Sequence, residues 1–426
     1  MLKYLATASL ALILGTASAS ALDLTVWAPI IYTPSSGFAP GAELHKKLYA
    51  EFEAKNPGVK IKYEVIDGSM TGLQAILTGA SSGRVPNVAV VDHTWVPRLF
   101  ASGLLQPLDD YWPAEDRADF RPEVIQDATI GGKLYGKMFQ TGLRGVFYRE
   151  SLVKQLGLAK FPETWEELEA AAPAMEGKGV SPMLLPARPN LEGNASHLLA
   201  MFWGLGGEVL DEKGAPVFFE GSNRKALETS FRLYADLATK YGMTREAATM
   251  DEGAIRPFLY SGEVLGIGQS ASTIRQVWSE VPATKDDLRI ASYPLPNGAK
   301  PVTVLGGFSY SILAADPKVR EAAGRFVEFM TNAKNNGDIN ETMLVLPVRN
   351  SVWERPFFSG TPLMRQLRDL YLGAARTRPS SPLYPIISAA FTSRLSEVVA
   401  GSITPSEAVD RARDTVLTEY ALQKSR

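Results

Sequence analysis

Beyond residue 21 the chain switches between two periods of hydrophobicity. Leu24-Thr25-Val26-Trp27 reads as a short strand. From residue 42 to 56 apolar side chains return at Leu44, Leu48 and Phe52, the four-residue spacing that lines one face of a helix, and Pro57-Gly58 stops it. Val59-Lys60-Ile61-Lys62-Tyr63-Glu64-Val65 alternates residue by residue, as a half-buried strand does. A helix over 72–82 and an apolar strand over 87–91 follow. Strands alternating with helices predict parallel pairing through crossover helices, and hence an α/β fold. Further along, Thr164-Trp165-Glu166-Glu167 and Thr404-Pro405-Ser406-Glu407 each place a hydroxyl three residues before a carboxylate, the spacing of a capping box at a helix start.

The first 21 residues have a different character. Lys3 precedes an apolar run over 5–14, small residues lead to Ala19-Ser20-Ala21, and no acid occurs. This pattern predicts a cleavable secretory signal peptide, cut after Ala21, and export. The run is shorter than the ~18–20 apolar residues that span a bilayer, and no later stretch approaches that length, so a membrane anchor is not expected. With no cysteine, neither a disulfide framework, a thiolate site nor a lipid-modified cysteine is available. The 426 residues suggest two or three domains. Lys and Arg total 44 against 46 Asp and Glu, a formal charge of -2 spread evenly along the chain, which argues against nucleic acid as a partner. No repeat or long Gly/Ser linker marks a boundary, as expected of lobes joined by short crossovers.

The order of short motifs resembles the extracellular solute-binding proteins, family 1, of ABC importers, the group that includes maltose, other sugar and glycerol-phosphate binding proteins. The resemblance runs from Leu24-Thr25-Val26-Trp27 through Phe52-Glu53-Ala54-Lys55-Asn56-Pro57-Gly58, Ser82-Gly83-Arg84-Val85-Pro86-Asn87 and Ser102-Gly103-Leu104-Leu105 to Gly132-Lys133-Leu134-Tyr135-Gly136. It continues through Leu205-Gly206-Gly207, Leu305-Gly306-Gly307-Phe308 and Leu346-Pro347-Val348-Arg349 to Gly401-Ser402-Ile403-Thr404-Pro405. Asn87 and Arg149 stand where the family usually has Asp and Asn. The resemblance implies a two-lobed periplasmic-binding-protein fold, each lobe a mainly parallel sheet flanked by helices, with the ligand cleft between them. It implies three crossings, near Thr141, Pro294 and Leu346. Residues 22–141 and 295–345 would then form one lobe, and 142–294 with 346–426 the other.

A sugar or polyol needs aromatic faces for its C–H surface and planar polar groups for its hydroxyls, gathered at strand ends. Trp27 closes the first strand, and Asp92 and Trp95 follow the strand over 87–91; packing at the sheet edge is the alternative for the tryptophans, and a helix N-cap for Asp92. Asp67 and Thr141 join the candidate set. Arg144 can clamp an oxyanion or make a planar contact to hydroxyls, or else form a salt bridge between lobes. Arg349 touches ligand or braces the hinge. Gly307 and Phe308, expected just before a strand over 309–314, would bring backbone amides to the ligand, or make a tight turn. Trp112 and Trp165 are assigned to structure.

Two enzyme-like patterns occur. Gly79-Ala80-Ser81-Ser82-Gly83 fits a nucleophile elbow, but it ends a helix and precedes a strand, the reverse of the required context. Gly266-Ile267-Gly268-Gln269-Ser270-Ala271 fits a dinucleotide turn but lies deep in the chain, and Gln269 and Ser270 read better as sugar contacts. Three histidines without H-E-x-x-H give little support for a metal, and no cofactor is expected. The expectation is a non-enzymatic, monomeric, periplasmic substrate-binding component that captures a sugar, polyol or derivative, neutral or anionic, and delivers it to a membrane permease. A secreted carbohydrate-active enzyme, or a protein presenting ligand to a chemoreceptor, is the alternative.

Overall fold

The structure, a computed structural model, describes residues 22–424. The expected signal peptide lies outside the described residues. Twelve strands are present among them: β1 Leu22–Pro29, β2 Val59–Ile66, β3 Val88–Asp92, β4 Thr129–Ile130, β5 Lys133–Leu134, β6 Lys137–Gly142, β7 Arg144–Arg149, β8 Ser181–Leu184, β9 Val264–Ser270, β10 Leu288–Ala291, β11 Thr303–Ile312 and β12 Ala375–Thr377. They form a sheet in the order β12-β11-β3-β1-β2, with β6 also on β11, a second sheet in the order β10-β7-β9-β8, and the small pair β4-β5.

Hydrophobic periodicity explains the first of these elements well. The helix Ala39–Lys55 buries Leu48 and Phe52, and begins before residue 42 because Pro40 sits in its first turn, where a missing N–H costs nothing. The next helix, Met70–Ser81, starts at Ser69, whose hydroxyl accepts the Thr71 N–H. Thr164 caps the helix Trp165–Ala171 by accepting from Glu167 N, while the Glu167 carboxylate takes the Glu163 N–H at 2.8 Å. Thr404 and Glu407 make the full reciprocal box.

Pairing in the first sheet is parallel at β1-β2, β1-β3 and β11-β12 and antiparallel at β11-β3 and β11-β6. In the second, only β8-β9 is parallel. The expectation of mainly parallel sheets therefore holds for β1 to β3 and not for the second sheet. Every antiparallel pair of the two large sheets involves β7 or β11, the strands that follow a passage of the chain from one sheet to the other; a strand entering from the opposite side runs against the strands already laid down in that sheet. The β12 segment, assigned from sequence to the second lobe, pairs with β11 in the first sheet.

The passages are tied together. Thr141 and Leu346 exchange backbone hydrogen bonds at 2.8 and 3.2 Å. The Thr141 hydroxyl donates to Gly306 O at 2.9 Å, and Thr303 links to both the N–H and the carbonyl of Arg144. Around this seam the helices Glu192–Gly204, Gly221–Lys240, Tyr384–Ala400 and Pro405–Lys424 pack on one another beside the second sheet. The helices Ala39–Lys55, Pro317–Thr331 and Ala333–Met343 cover the first.

Candidate functional site

The region between the sheets is built from side chains that face one another across the seam. On the first-lobe side, the Phe308 ring is half-buried on β11 and lies 5.4 Å from the ring of Tyr32, in the turn after β1. Gly68 comes close to the same ring; a Cβ there would lie 3.5 Å from Phe308 Cζ. Phe38 stands just before the helix Ala39–Lys55. On the second-lobe side, Arg275, in the helix Ile274–Glu280 after β9, places its guanidinium 4.4 Å from the centre of the Phe38 ring.

Two charged clusters flank this aromatic wall. Arg378, 2% exposed at its side chain, donates from Nη2 to both carboxylate oxygens of Asp92 at 3.1 Å and pairs through Nη1 with Glu192 at 2.9 Å. Glu192 also accepts hydrogen bonds from Tyr384 and Ser388, both at 2.5 Å. Gly306 is required here, since a Cβ would lie 2.5 Å from Arg378 Nη2. Burial pushes the Asp92 carboxyl upward, but Arg378, then His93 and the bonds from Thr94, hold it down at about 2. The second cluster joins Arg144 to Glu252 at 3.5 Å, with His197 Nε2 on the same carboxylate oxygen at 3.0 Å and Tyr293 behind His197. Burial raises Glu252, and Arg144 with the His197 bond outweighs it, leaving the carboxyl below its usual range. Desolvation lowers the His197 imidazole. Charge is thus largely balanced inside the cleft, with carboxylate edges and aromatic faces side by side.

The candidates named from sequence divide into two groups. Asp67, Asp92, Arg144 and Phe308 are found at the cleft. Asp67 is exposed at the rim and accepts the Ser69 N–H at 2.6 Å, which lowers its carboxyl. Asp92 is both pair partner and N-cap, accepting from Thr94 N at 3.0 Å. Arg144 makes a salt bridge within its own lobe rather than between lobes, because Glu252 follows the same sheet.

The others are engaged in structure. Trp27 and Trp95 are 6% and 3% exposed and share a small core with Leu73 and Ile76 beneath the helix Met70–Ser81, so packing accounts for both. Thr141 is a rivet of the seam. Gly307 lies inside β11, not in a turn before it; a Cβ would come within 1.9 Å of Gln140 O, so the glycine admits the β6 backbone. Gln269 and Ser270 complete β9, so the Gly266–Ala271 pattern lies mostly within a strand. Gln269 donates to Glu252 O and accepts from Thr273, which positions the Glu252 loop, and Ser270 caps the next turn. Arg349 is 1% exposed and bonds Thr331 O, Asp119 and Asp116. Trp112 and Trp165 are buried, as expected.

Sequence reasoning missed Tyr32, Phe38, Glu192, Glu252, Arg275 and Arg378. Only Arg378 carried a local signal: an Arg-Pro step in the proline- and serine-rich 378–382 segment, outside any helix or strand.

The family described as bacterial extracellular solute-binding protein matches residues 35–337. An ABC transporter-binding protein of Deinococcus radiodurans, as its name describes it, is 24% identical over 78% of this chain and 79% of its own. Among solved structures, maltose-bound MalE3 of T. maritima superimposes with a TM-score of 0.78 at 20% identity, covering 93% of this chain and 100% of that one. A solute-binding protein of Agrobacterium radiobacter K84 in complex with ribitol gives a TM-score of 0.73 at 23% identity, covering 93% and 98%. The two-lobed fold is therefore that of these binding proteins, and no helix among the described residues is long and apolar enough to cross a membrane. With the family matched over most of its length, the chain belongs to the bacterial extracellular solute-binding proteins, the non-enzymatic capture components of ABC importers.

Proposed function

We propose that this protein captures a sugar or polyol in the periplasm by closure of its two lobes and hands it to the membrane permease of an ABC importer. The observation that carries the reading is the apposition of the Phe308–Tyr32 aromatic wall with the ion-paired Asp92–Arg378–Glu192 and Arg144–Glu252 clusters. Aromatic faces take C–H surface, and paired carboxylates keep free lone pairs for hydroxyl donors. The maltose and ribitol complexes of structurally similar proteins support this ligand class. Closure follows if the ligand touches both walls, because it then binds the closed state better than the open one. The crossings at the Thr141–Leu346 seam would serve as the hinge of this motion. The protein works as a monomer after removal of the first 21 residues.

The test is a thermal-shift screen of residues 22–426 against mono- and oligosaccharides, polyols and sugar acids, followed by small-angle scattering with the best hit. A ligand at 100 times its dissociation constant stabilises by ~2.7 kcal/mol. A hit that also reduces the radius of gyration is the expected result; silence throughout the carbohydrate library sinks the assignment. Light scattering checks the monomer, and N-terminal sequencing of the exported protein checks cleavage after Ala21.

Phe308→Ala is expected to weaken binding of that hit by tenfold or more, about 1.4 kcal/mol. Calorimetric titration of the folded variant is the measurement. An affinity within twofold of the parent would remove the ring from the ligand surface.

A further inference from the structure

One cation of the cleft is not neutralised. Arg144 has Glu252, Arg378 has Asp92 and Glu192, Arg149 has Asp287 at 3.0 Å, and Arg349 has Asp116 and Asp119. Arg275 has no carboxylate in contact among the described residues; its buried Nε lacks a hydrogen-bond partner, as do those of Arg144 and Arg378, but those two are ion-paired through the same guanidinium. Burial lowers the Arg275 guanidinium, and the phenol of Tyr32, itself kept neutral by burial on the opposite lobe, opposes that. A guanidinium partly withdrawn from water without a counter-charge is unfavourable.

Its placement says what would satisfy it. The Arg275 guanidinium carbon lies 4.4 Å from the centre of the Phe38 ring, and no hydrogen bond from its side chain is made among the described residues, so its N–H groups are available to a ligand. Tyr32 stands beside it and touches the Phe308 ring, so the cation adjoins the aromatic wall. A single hydroxyl acceptor meets one of the five donors; a carboxylate or phosphate meets two in the matching fork.

We propose that the carried solute is a sugar or polyol bearing an oxyanion, which Arg275 receives beside Phe38 and Tyr32 while the ring or chain lies against Phe308. This rests on the carbohydrate reading given above and narrows it. It also moves the anion site from Arg144 and Arg349, which are already paired, to another arginine, in the helix that follows β9. A carboxylate and a phosphate share the required chemistry, and the test separates them.

Titration calorimetry of the wild-type protein is run with matched pairs: glucuronate and galacturonate against glucose and galactose, gluconate against glucitol, and glucose 6-phosphate against glucose. At least one acidic member is expected to bind tenfold or more tighter than its neutral parent, and the pair that shows the preference identifies the carboxylate or the phosphate. Arg275→Gln should bring that acidic ligand to within about threefold of its parent, and Arg275→Lys should retain part of the preference. Neutral parents that bind as tightly as their acids overturn the proposal and leave the carbohydrate reading standing. So does an Arg275→Gln variant that weakens acid and parent by the same factor. Failure of every acid and every neutral sugar to bind overturns both. The wild-type comparison needs no variant to fold.

Discussion

Replacing Arg378 by methionine is expected to lower folding stability by about 3–5 kcal/mol at pH 7, because it strands two carboxylates, Asp92 and Glu192, that the buried guanidinium now holds together. The pH dependence carries the sign. In the parent, Asp92 sits at about 2 against an ordinary 3.8, so its pairing contributes stability that is fully present above pH 3.8 and is lost as pH falls through 2. At about 1.4 kcal/mol per unit this is roughly 2 kcal/mol. Without Arg378 the buried Asp92 carboxyl must rise instead, and the folded variant then binds a proton more readily than its unfolded chain does. The gap between parent and variant should therefore narrow from pH 7 to pH 4, and ligand affinity should fall with the loss of fixed carboxylate positions. Urea denaturation at the two pH values is the check; a gap that is constant or widens on acidification would show that the pairing is not what Arg378 supplies.

Arg349→Met is expected to be similarly destabilising, about 3–5 kcal/mol, for a reason unrelated to ligand. Its guanidinium reaches Asp116, Asp119 and Thr331 O and lies 4.5 Å from the centre of the Phe120 ring. Asp116 is shared with Lys137, whose Nζ donates at 2.7 Å and whose ammonium burial pulls down to about 8. Removing the arginine leaves Asp116 with one partner and Asp119 without a cation, beneath a hinge segment that holds Leu346 against Thr141. Chemical denaturation measures the loss. The folded fraction should bind the selected carbohydrate within about threefold of the parent; a selective loss of affinity with unchanged stability would restore Arg349 to the ligand surface.

The contrast between these arginines explains what could be read from the sequence. Strand and helix periods are local, so residues 22–92 declared their order, and errors at the ends came from caps such as Ser69 and Pro40. The cleft is non-local. Asp92 meets Arg378 across 286 positions, and nothing in either neighbourhood announces the other. Trp27 and Trp95 were attractive as ligand-stacking surfaces, yet the same size and apolarity make them good core residues, and the helix Met70–Ser81 covers both. Phe308 lies on β11 with its ring beside Tyr32, whereas its neighbour Gly307 admits the β6 backbone. Arg144 and Arg349 had the right chemistry for an anion, and only the positions of Glu252, Asp116 and Asp119 show that their charge is already used.

The lacing of residues 141–144, 303–306 and 346 into one ribbon has a mechanical consequence. Three separate strands linking two bodies would let them twist, slide and bend independently. Fastened edge to edge, they resist shear and torsion and remain soft about the single axis that folds the ribbon across its thin dimension. In the proposed closure, movement is then confined to one coordinate, so any two points away from that axis on opposite bodies change their separation in step. A receiving membrane protein then needs to test only one distance to distinguish a loaded carrier from an unloaded one.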